Sequence, residues 1–543
     1  MKKISHSLLL ISCIAFGQFF EQNKTFTKED TLKGSNTQFR NFWDVKKYDL
    51  SVEPDFEQKS IKGNNKISFE ILKDIKNPVF QIDLQQPMKA DKIKCSFPTI
   101  GNFKREGDFI FISANTSFKK GEKYTIDVVY SGNPVIAKNA PWDGGWIFKN
   151  DEKGNPWISV ADEGIGASVW LPTKDIWSDE PDSGIVMKII TPKDLVGVGN
   201  GRLINQKTEN NKNIFTWEVK NPINAYSIIP SIGKYVNFKD SYEGEKGKLD
   251  LDYWVLDYNL DKAKKQFQQV KPMLKSFEYW FGPYPFYEDS YKLVESPHLG
   301  MEHQSNVAYG NGYQNGYLGR DLSETGVGLQ WDFIIIHESG HEWFANSITA
   351  KDQADMWIHE AFTNYSEVLF SESYIHKKAG DLYAQGIQNN ILNDVPIIGK
   401  YGVRNEGSGD MYAKGASMVH TMRQIINDDV KFRQILRGLN KDFYHQTVTT
   451  EQVEKYISEK AGFDFSTVFN QYLRTVDIPV LEYSQNGNEL KYRYTNAVKN
   501  LNLPIRFADK IISPTESWQS LKLKNSNPVW FNKNYYIRYK KVN

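Results

Sequence analysis

Residues 329–349 read LQWDFIIIHESGHEWFANSIT, and residues 357–367 read WIHEAFTNYSE. On a helix, His337 and His341 project from one face about one turn apart, so two imidazoles can reach one zinc ion at about 2.0–2.1 Å. Glu338 lies beside them, placed to take a proton from water instead of ligating the metal. The competing reading is an accidental pair of helix histidines. Phe333, Ile334, Ile335 and Ile336 argue against it, because they bury this helix, where two histidines and a glutamate are costly without a shared partner. Glu360, separated from His341 by 18 residues, supplies a third ligand from the next expected helix and leaves a fourth position open. Zinc, one ion per chain, is the metal this His₂Glu donor set implies. Glu367, two turns further on, is either a hydrogen-bond partner for a ligand histidine or an ordinary surface carboxylate.

The pattern around this segment is helical. Phe267, Val270, Leu274, Phe277 and Phe281 recur at spacings of three and four from about Asp261, and Gly282-Pro283 ends the helix. Further helices fit 326–347, 357–377 and 410–427. Another begins at Thr449, whose Thr-x-x-Gln pattern with Gln452 predicts a capping box, and ends by Gly462. Upstream, Tyr48-Leu50-Val52, Ile67-Phe69-Ile71 and Phe215-Trp217-Val219 alternate with period two between turn clusters, the pattern of strands. Downstream, Leu481-Tyr483, Leu490-Tyr492-Tyr494 and Tyr535-Ile537-Tyr539 alternate again. The expected fold is multidomain α+β: an all-β domain over 41–245, an α-rich catalytic domain over 246–478 and a small β-sandwich over 479–543.

Composition excludes several function classes. Lys plus Arg number 67 against 66 Asp plus Glu, without the basic excess that a dedicated nucleic-acid binder needs to meet phosphates. Two cysteines in 543 residues exclude a disulfide-stapled scaffold. Cys95, between Ile93 and Phe97, reads as a small packed residue and not a reactive thiol. At the N-terminus, MKKISHSLLLISCIAFGQ over 1–18 has the two lysines, short apolar run and small residues of a secretory signal peptide, and the run is too short for a transmembrane helix. Cleavage after Gly17 is preferred; the rival is a lipobox, Leu10-Ile11-Ser12-Cys13, that would lipidate Cys13. Either way an exported protein is expected, periplasmic or secreted or else anchored to a bacterial outer membrane. Residues 18–40 are polar and read as a flexible lead-in.

HESGHEWFANSIT followed by WIHEAFTNYSE resembles the aminopeptidase N family of zinc peptidases. Two more segments resemble it in the right order. His298-Leu299-Gly300-Met301-Glu302-His303 is similar to the family's exopeptidase loop, and Tyr412-Ala413-Lys414-Gly415 to its YxKG segment. The resemblance implies an N-terminal β-saddle and a thermolysin-like catalytic domain ahead of the β-sandwich, without the large C-terminal helical domain of many members. It also implies residue roles. Glu302 would bind a free amino terminus, Gly300 and Met301 would align the peptide through their backbone, and Tyr412 would donate to the oxyanion of the tetrahedral intermediate. Glu338 would act as general base and return its proton to the leaving amine.

The chain departs from the family pattern at three places. His303 stands where Asn is usual. The stretch ADEGIGASVWLPTKDIWSDEP, 161–181, puts Glu163 where the family has a Gln near the first side-chain pocket. His298 falls where a hydrophobic pocket residue is common, so Glu163 and His298 make that pocket more polar. The implied partners are peptides with free amino termini, acted on by a monomer. The alternatives are a thermolysin-like endopeptidase, to which an anionic end-stop at Glu302 is useless, and a non-catalytic peptide- or carbohydrate-binding protein with a structural zinc.

Overall fold

The computed structural model describes residues 25–507 and 510–542. The signal sequence, its cleavage site and Cys13 lie outside them. Among the described residues no helix is long and apolar enough to cross a membrane.

The alternation around Tyr48 becomes a long strand, Trp43–Asp55, whose buried positions include Tyr48, Leu50 and Val52. It is central in a seven-stranded sheet ordered 202–209, 212–219, 185–192, 43–55, 60–71, 123–132, 89–95. Strand 43–55 pairs antiparallel with 60–71 and parallel with 185–192. Alternating side chains on one face enter an aromatic-rich core with Trp43, Phe69, Phe80 and Trp217. Cys95 is half-buried on the last strand, and burial pushes its thiol up to about 11, which fits a packed residue better than a reactive one.

The lead-in is ordered where it is described. Thr27 and Asp30 form a capping box that starts α1, Lys28–Gly34. Behind it Arg40 is fully buried, pairs with Asp83 at 2.7 Å and donates to the carbonyls of Leu32 and Ser35. Ser35 Oγ donates to the Gly402 carbonyl at 2.7 Å. The polar composition of 18–40 hides this helix because long-range polar contacts, and no apolar stripe of its own, hold it in place.

The catalytic part opens with a five-stranded mixed sheet ordered 235–244, 247–256, 291–295, 307–309, 300–301. The helix expected from Asp261 is interrupted by a tighter turn at 267–269, giving α2, Leu260–Gln266, and α3, Val270–Phe281. Gly282, at φ 98°, ends it. The next helix is shorter than the hydrophobic run suggests: α4 spans Phe333–Gly340 where 326–347 is expected. Asp332 caps its start by accepting from the N–H groups of Ile334 and Ile335. Beyond His341 the chain turns through Ala345, at φ 141°, which no helix can contain. Then come α5, Trp357–Tyr374, α6, Lys377–Gly386, and α7, Ala413–Ile426. The helix after Thr449 has the expected capping box with Gln452 and ends at Gly462 in a left-handed conformation.

The chain closes with a four-stranded sheet ordered 519–522, 489–495, 480–486, 538–541 and a ribbon of 505–507 with 510–512. Its side chains join the catalytic core without a break. The two large cores interdigitate at the domain boundary: Trp177 and Tyr226 from the β domain pack into the catalytic core, while Trp254, Leu256 and Val294 pack into the β core.

Candidate active site

Helices α4 and α5 cross closely, and a glycine permits it. A Cβ on Gly340 would lie 2.7 Å from Ser366 Oγ and 3.1 Å from Thr363 Cγ2. The helix gives up about 1 kcal/mol of propensity at this position in exchange for bringing His341 against α5. His337 Nε2 and His341 Nε2 then stand 3.3 Å apart, with Glu360 Oε2 at 3.6 and 3.5 Å from them.

These distances test whether the three side chains fit a metal. Four-coordinate zinc with bonds of about 2.0–2.1 Å sets its ligand atoms about 3.3–3.4 Å apart. The protons are placed accordingly. His337 Nδ1 lies 2.7 Å from Glu367 Oε1, and His341 Nδ1 lies 3.0 Å from the Phe344 carbonyl and 3.1 Å from Thr363 Oγ1. Each Nδ1 therefore carries the hydrogen, and both Nε2 lone pairs face one point. Glu360 Oε2 is buried there with no hydrogen-bond partner. Three buried acceptors aimed at one another need a shared cation, and the donor set suits zinc. Glu367 is an outer partner of the ligand histidine, held by Tyr383 at 2.5 Å and Asn364 at 2.8 Å.

The exopeptidase-like loop lies against α4. Gly300–Met301 is the terminal strand of the catalytic sheet, paired antiparallel with Ala308 and Tyr309 and open on its other side. A Cβ on Gly300 would sit 2.8 Å from Glu338 Oε1, so this backbone runs directly over that carboxyl. Glu302, Glu338 and His341 offer ligand atoms within 4.8 Å of one another. Tyr412, at the mouth of α7, has its ring 6.0 Å from that of His337 and hydrogen-bonds the Glu360 carboxyl.

Glu163 also reaches the cluster. Its carboxyl is raised by burial and by the charges of Glu302 and Glu360, and its Oε1 is buried without a partner. His298 is buried, with Nε2 3.4 Å from Ser159 Oγ, and burial lowers it to about 4, so it is neutral. His303 is fully buried, and neither ring nitrogen has a hydrogen-bond partner among the described residues. It stacks edge-on to His298 at 6.5 Å.

The electrostatics are dominated by carboxyls. Burial first, and then Glu302 and Glu360 against the opposing His337, push Glu338 up to about 8. Burial and Glu360 push Glu302 up to about 7. Burial, Glu302 and Glu360 hold Glu163 well above the usual carboxylate range. Such a group of acids is stabilised by positive charge brought among them.

Two neighbours escape the sequence patterns. Tyr226, from the β domain, donates to Glu302 Oε1 at 3.3 Å. Glu406, raised to about 6 by burial and by Glu360, adds another carboxyl beside Tyr412 and Glu163. Neither sits in a motif; Tyr226 is brought in by folding across a long stretch of chain, while Glu406 comes from the loop just ahead of Tyr412.

A β-saddle joined to a helical domain whose crossing helices present a His₂Glu cluster defines a gluzincin-type metallopeptidase. Models for the peptidase M1 N-terminal domain and the peptidase family M1 domain match residues 45–227 and 259–472. The chain belongs to this M1 family, the aminopeptidase N family of zinc metallopeptidases. It is 21% identical to a probable aminopeptidase 1 of Sulfurisphaera tokodaii, over 65% of this chain and 44% of that protein. It is also 21% identical to the mitochondrial aminopeptidase 2 of Saccharomyces cerevisiae, over 88% of this chain and 51% of that one. The chain thus spans about half the length of the curated relatives it matches. The crystal structure of an M1 zinc metallopeptidase from Deinococcus radiodurans shares the fold, with a TM-score of 0.69 and 19% identity over 82% of this chain and 96% of that one.

Proposed function

We propose that the protein is a zinc-dependent aminopeptidase that hydrolyses the first peptide bond of peptides with a free amino terminus. The observation that carries this reading is the buried Glu302 carboxyl, which stands with Glu338 and His341 within 4.8 Å beside the His₂Glu cluster. An ammonium one residue from the scissile bond is the substrate feature that such a fixed carboxyl rewards. His337, His341 and Glu360 would hold the zinc, one per chain, and zinc supplies the Lewis acidity that makes water a nucleophile at neutral pH and polarises a carbonyl.

The chain's own groups do the rest. Glu302, steadied by Tyr226, holds the amino terminus. The open edge of Gly300–Met301 lays the peptide down as an added strand. Glu338, raised toward neutral pH by burial, takes the proton of the attacking water and passes it to the leaving amine. Tyr412 donates its hydroxyl to the developing oxyanion. Glu163 and His298 line the first side-chain pocket, which is polar for that reason. The leader at 1–17 supports export from a bacterium, with cleavage after Gly17 or lipidation at Cys13 as the two routes, and the protein acts as a monomer.

The test is one peptide panel with free and acetylated amino termini, each assayed with and without a zinc chelator. Chelator-sensitive release of single residues from free termini only is expected. Equal internal cleavage of acetylated peptides would instead establish an endopeptidase, and no cleavage in the presence of zinc a binding protein.

A further inference from the structure

Several β-domain groups hold the loop carrying Glu302, among them Tyr226 on Glu302, the Pro222 carbonyl on Gln304 Nε2 and one buried amide, Asn200. Asn200 is fully buried in the turn between strands 196–198 and 202–209. Its Oδ1 accepts from the Ile229 N–H at 3.0 Å, and its Nδ2 donates to the carbonyls of Ser227 at 2.8 Å and Gln304 at 2.7 Å. The neighbouring Gly201 N–H donates to Ser305 Oγ at 2.8 Å. Gly201 has φ +72°, and a Cβ there would lie 2.0 Å from the Glu218 carbonyl oxygen, so only glycine fits beside Asn200.

The catalytic side closes the same loop. Glu342 Oε1 accepts from the Ser305 N–H at 2.9 Å, and Lys292 donates to the Ser305 carbonyl at 2.9 Å. Asn346 Nδ2 donates to the Glu302 carbonyl at 2.7 Å, while its Oδ1 accepts from Ser227 Oγ at 3.1 Å. Asn200 therefore grips both Gln304, two residues after Glu302, and Ser227, the residue after Tyr226.

We propose that Asn200 is a positioning residue for amino-terminus recognition, setting where the Glu302 carboxylate stands without itself touching substrate. The proposal rests on the aminopeptidase reading above. The surroundings explain the residue type. One N–H donor and two carbonyl acceptors face the side chain, so it must offer one acceptor and two hydrogens from adjacent atoms, which a primary amide does. An aspartate would set an oxygen against both carbonyls.

Steady-state kinetics on Asn200→Asp, with zinc content measured alongside, make the test. The expected result is a KM for free-terminus peptides raised about tenfold, kcat changed by less than about threefold, and zinc content equal to the parent's. In a cycle with Glu302→Gln, the double variant should lose no more free-terminus selectivity than Glu302→Gln alone. Asn200→Ser, which introduces no charge, carries the same comparison if the aspartate variant does not fold. A fall in kcat at constant KM, or additive losses in the double variant, would overturn the proposal. If the parent lacks selectivity for free termini, the aminopeptidase reading fails. If the parent has it and both Asn200 variants keep it, only the role of Asn200 fails.

Discussion

The two sides of the candidate site are built by opposite strategies. The metal side is local: His337, His341 and Glu360 come from two successive helices with only residues 341–356 between them, and each ligand histidine has an outer hydrogen-bond partner within about 30 residues. The amine side is assembled across domains. Glu302 meets Tyr226 from 76 residues away, and Asn200 reaches Gln304 across 104. A metal site can thus persist in a chain whose end-stop has been displaced, whereas the end-stop exists only when the β domain is docked.

Substitutions on the metal side should change turnover, and those on the amine side selectivity. The largest effect is expected from Glu338→Gln, with kcat lowered roughly 10²–10⁴-fold and bound zinc unchanged by elemental analysis. Retained turnover would remove Glu338 as the base. Tyr412→Phe should lower kcat about 10²–10³-fold at nearly constant KM, because its contact is made mainly in the transition state.

On the other side, Glu302→Gln should cut the preference for free over acetylated termini roughly 10–100-fold while zinc affinity stays the same. An equal loss on both substrate classes would show that the two sides are one unit. Glu367→Ala should weaken zinc roughly 10–100-fold in a chelator competition and leave the terminus preference untouched.

The least effect on activity is expected from Glu180→Gln, which tests the domain boundary. Burial raises Glu180 from 4.5 to about 7, against the hydrogen bond that Asn224 Nδ2 donates to its Oε1. A buried acid raised in this way favours folding fully below the lower value, and its contribution is lost as pH rises through the upper one. Between pH 4.5 and 7 the parent should lose up to ~3 kcal/mol more stability than the variant. Parallel denaturation curves at pH 5 and 8 would show that Glu180 is solvated when folded.

What was legible in the sequence follows the same division. The HExxH spacing, the later glutamate and the Thr449 capping box depend on neighbours within a turn or two, so periodicity exposes them. The strand alternation around Tyr48 reports a one-sided core in the same way. The end of α4 was not legible, because Trp343 and Phe344 continue the hydrophobic run although the helix has already ended at Gly340. Tyr226 and Asn200 carry no local mark at all; only the closed fold brings them to the loop. Helix α1 was hidden because its composition is that of a tail.

That helix has a kinetic consequence. The bond from Ser35 to Gly402 spans 367 residues, and Arg40 must find Asp83 in the β domain as well. Among the described residues, the segment that leaves the ribosome first can therefore complete its contacts only after most of the chain has been made. Until the loop at 399–408 is folded, segment 27–40 lacks the Gly402 carbonyl that Ser35 bonds. It would be among the last parts to protect its amides during folding, and among the first to be clipped when the two domains part.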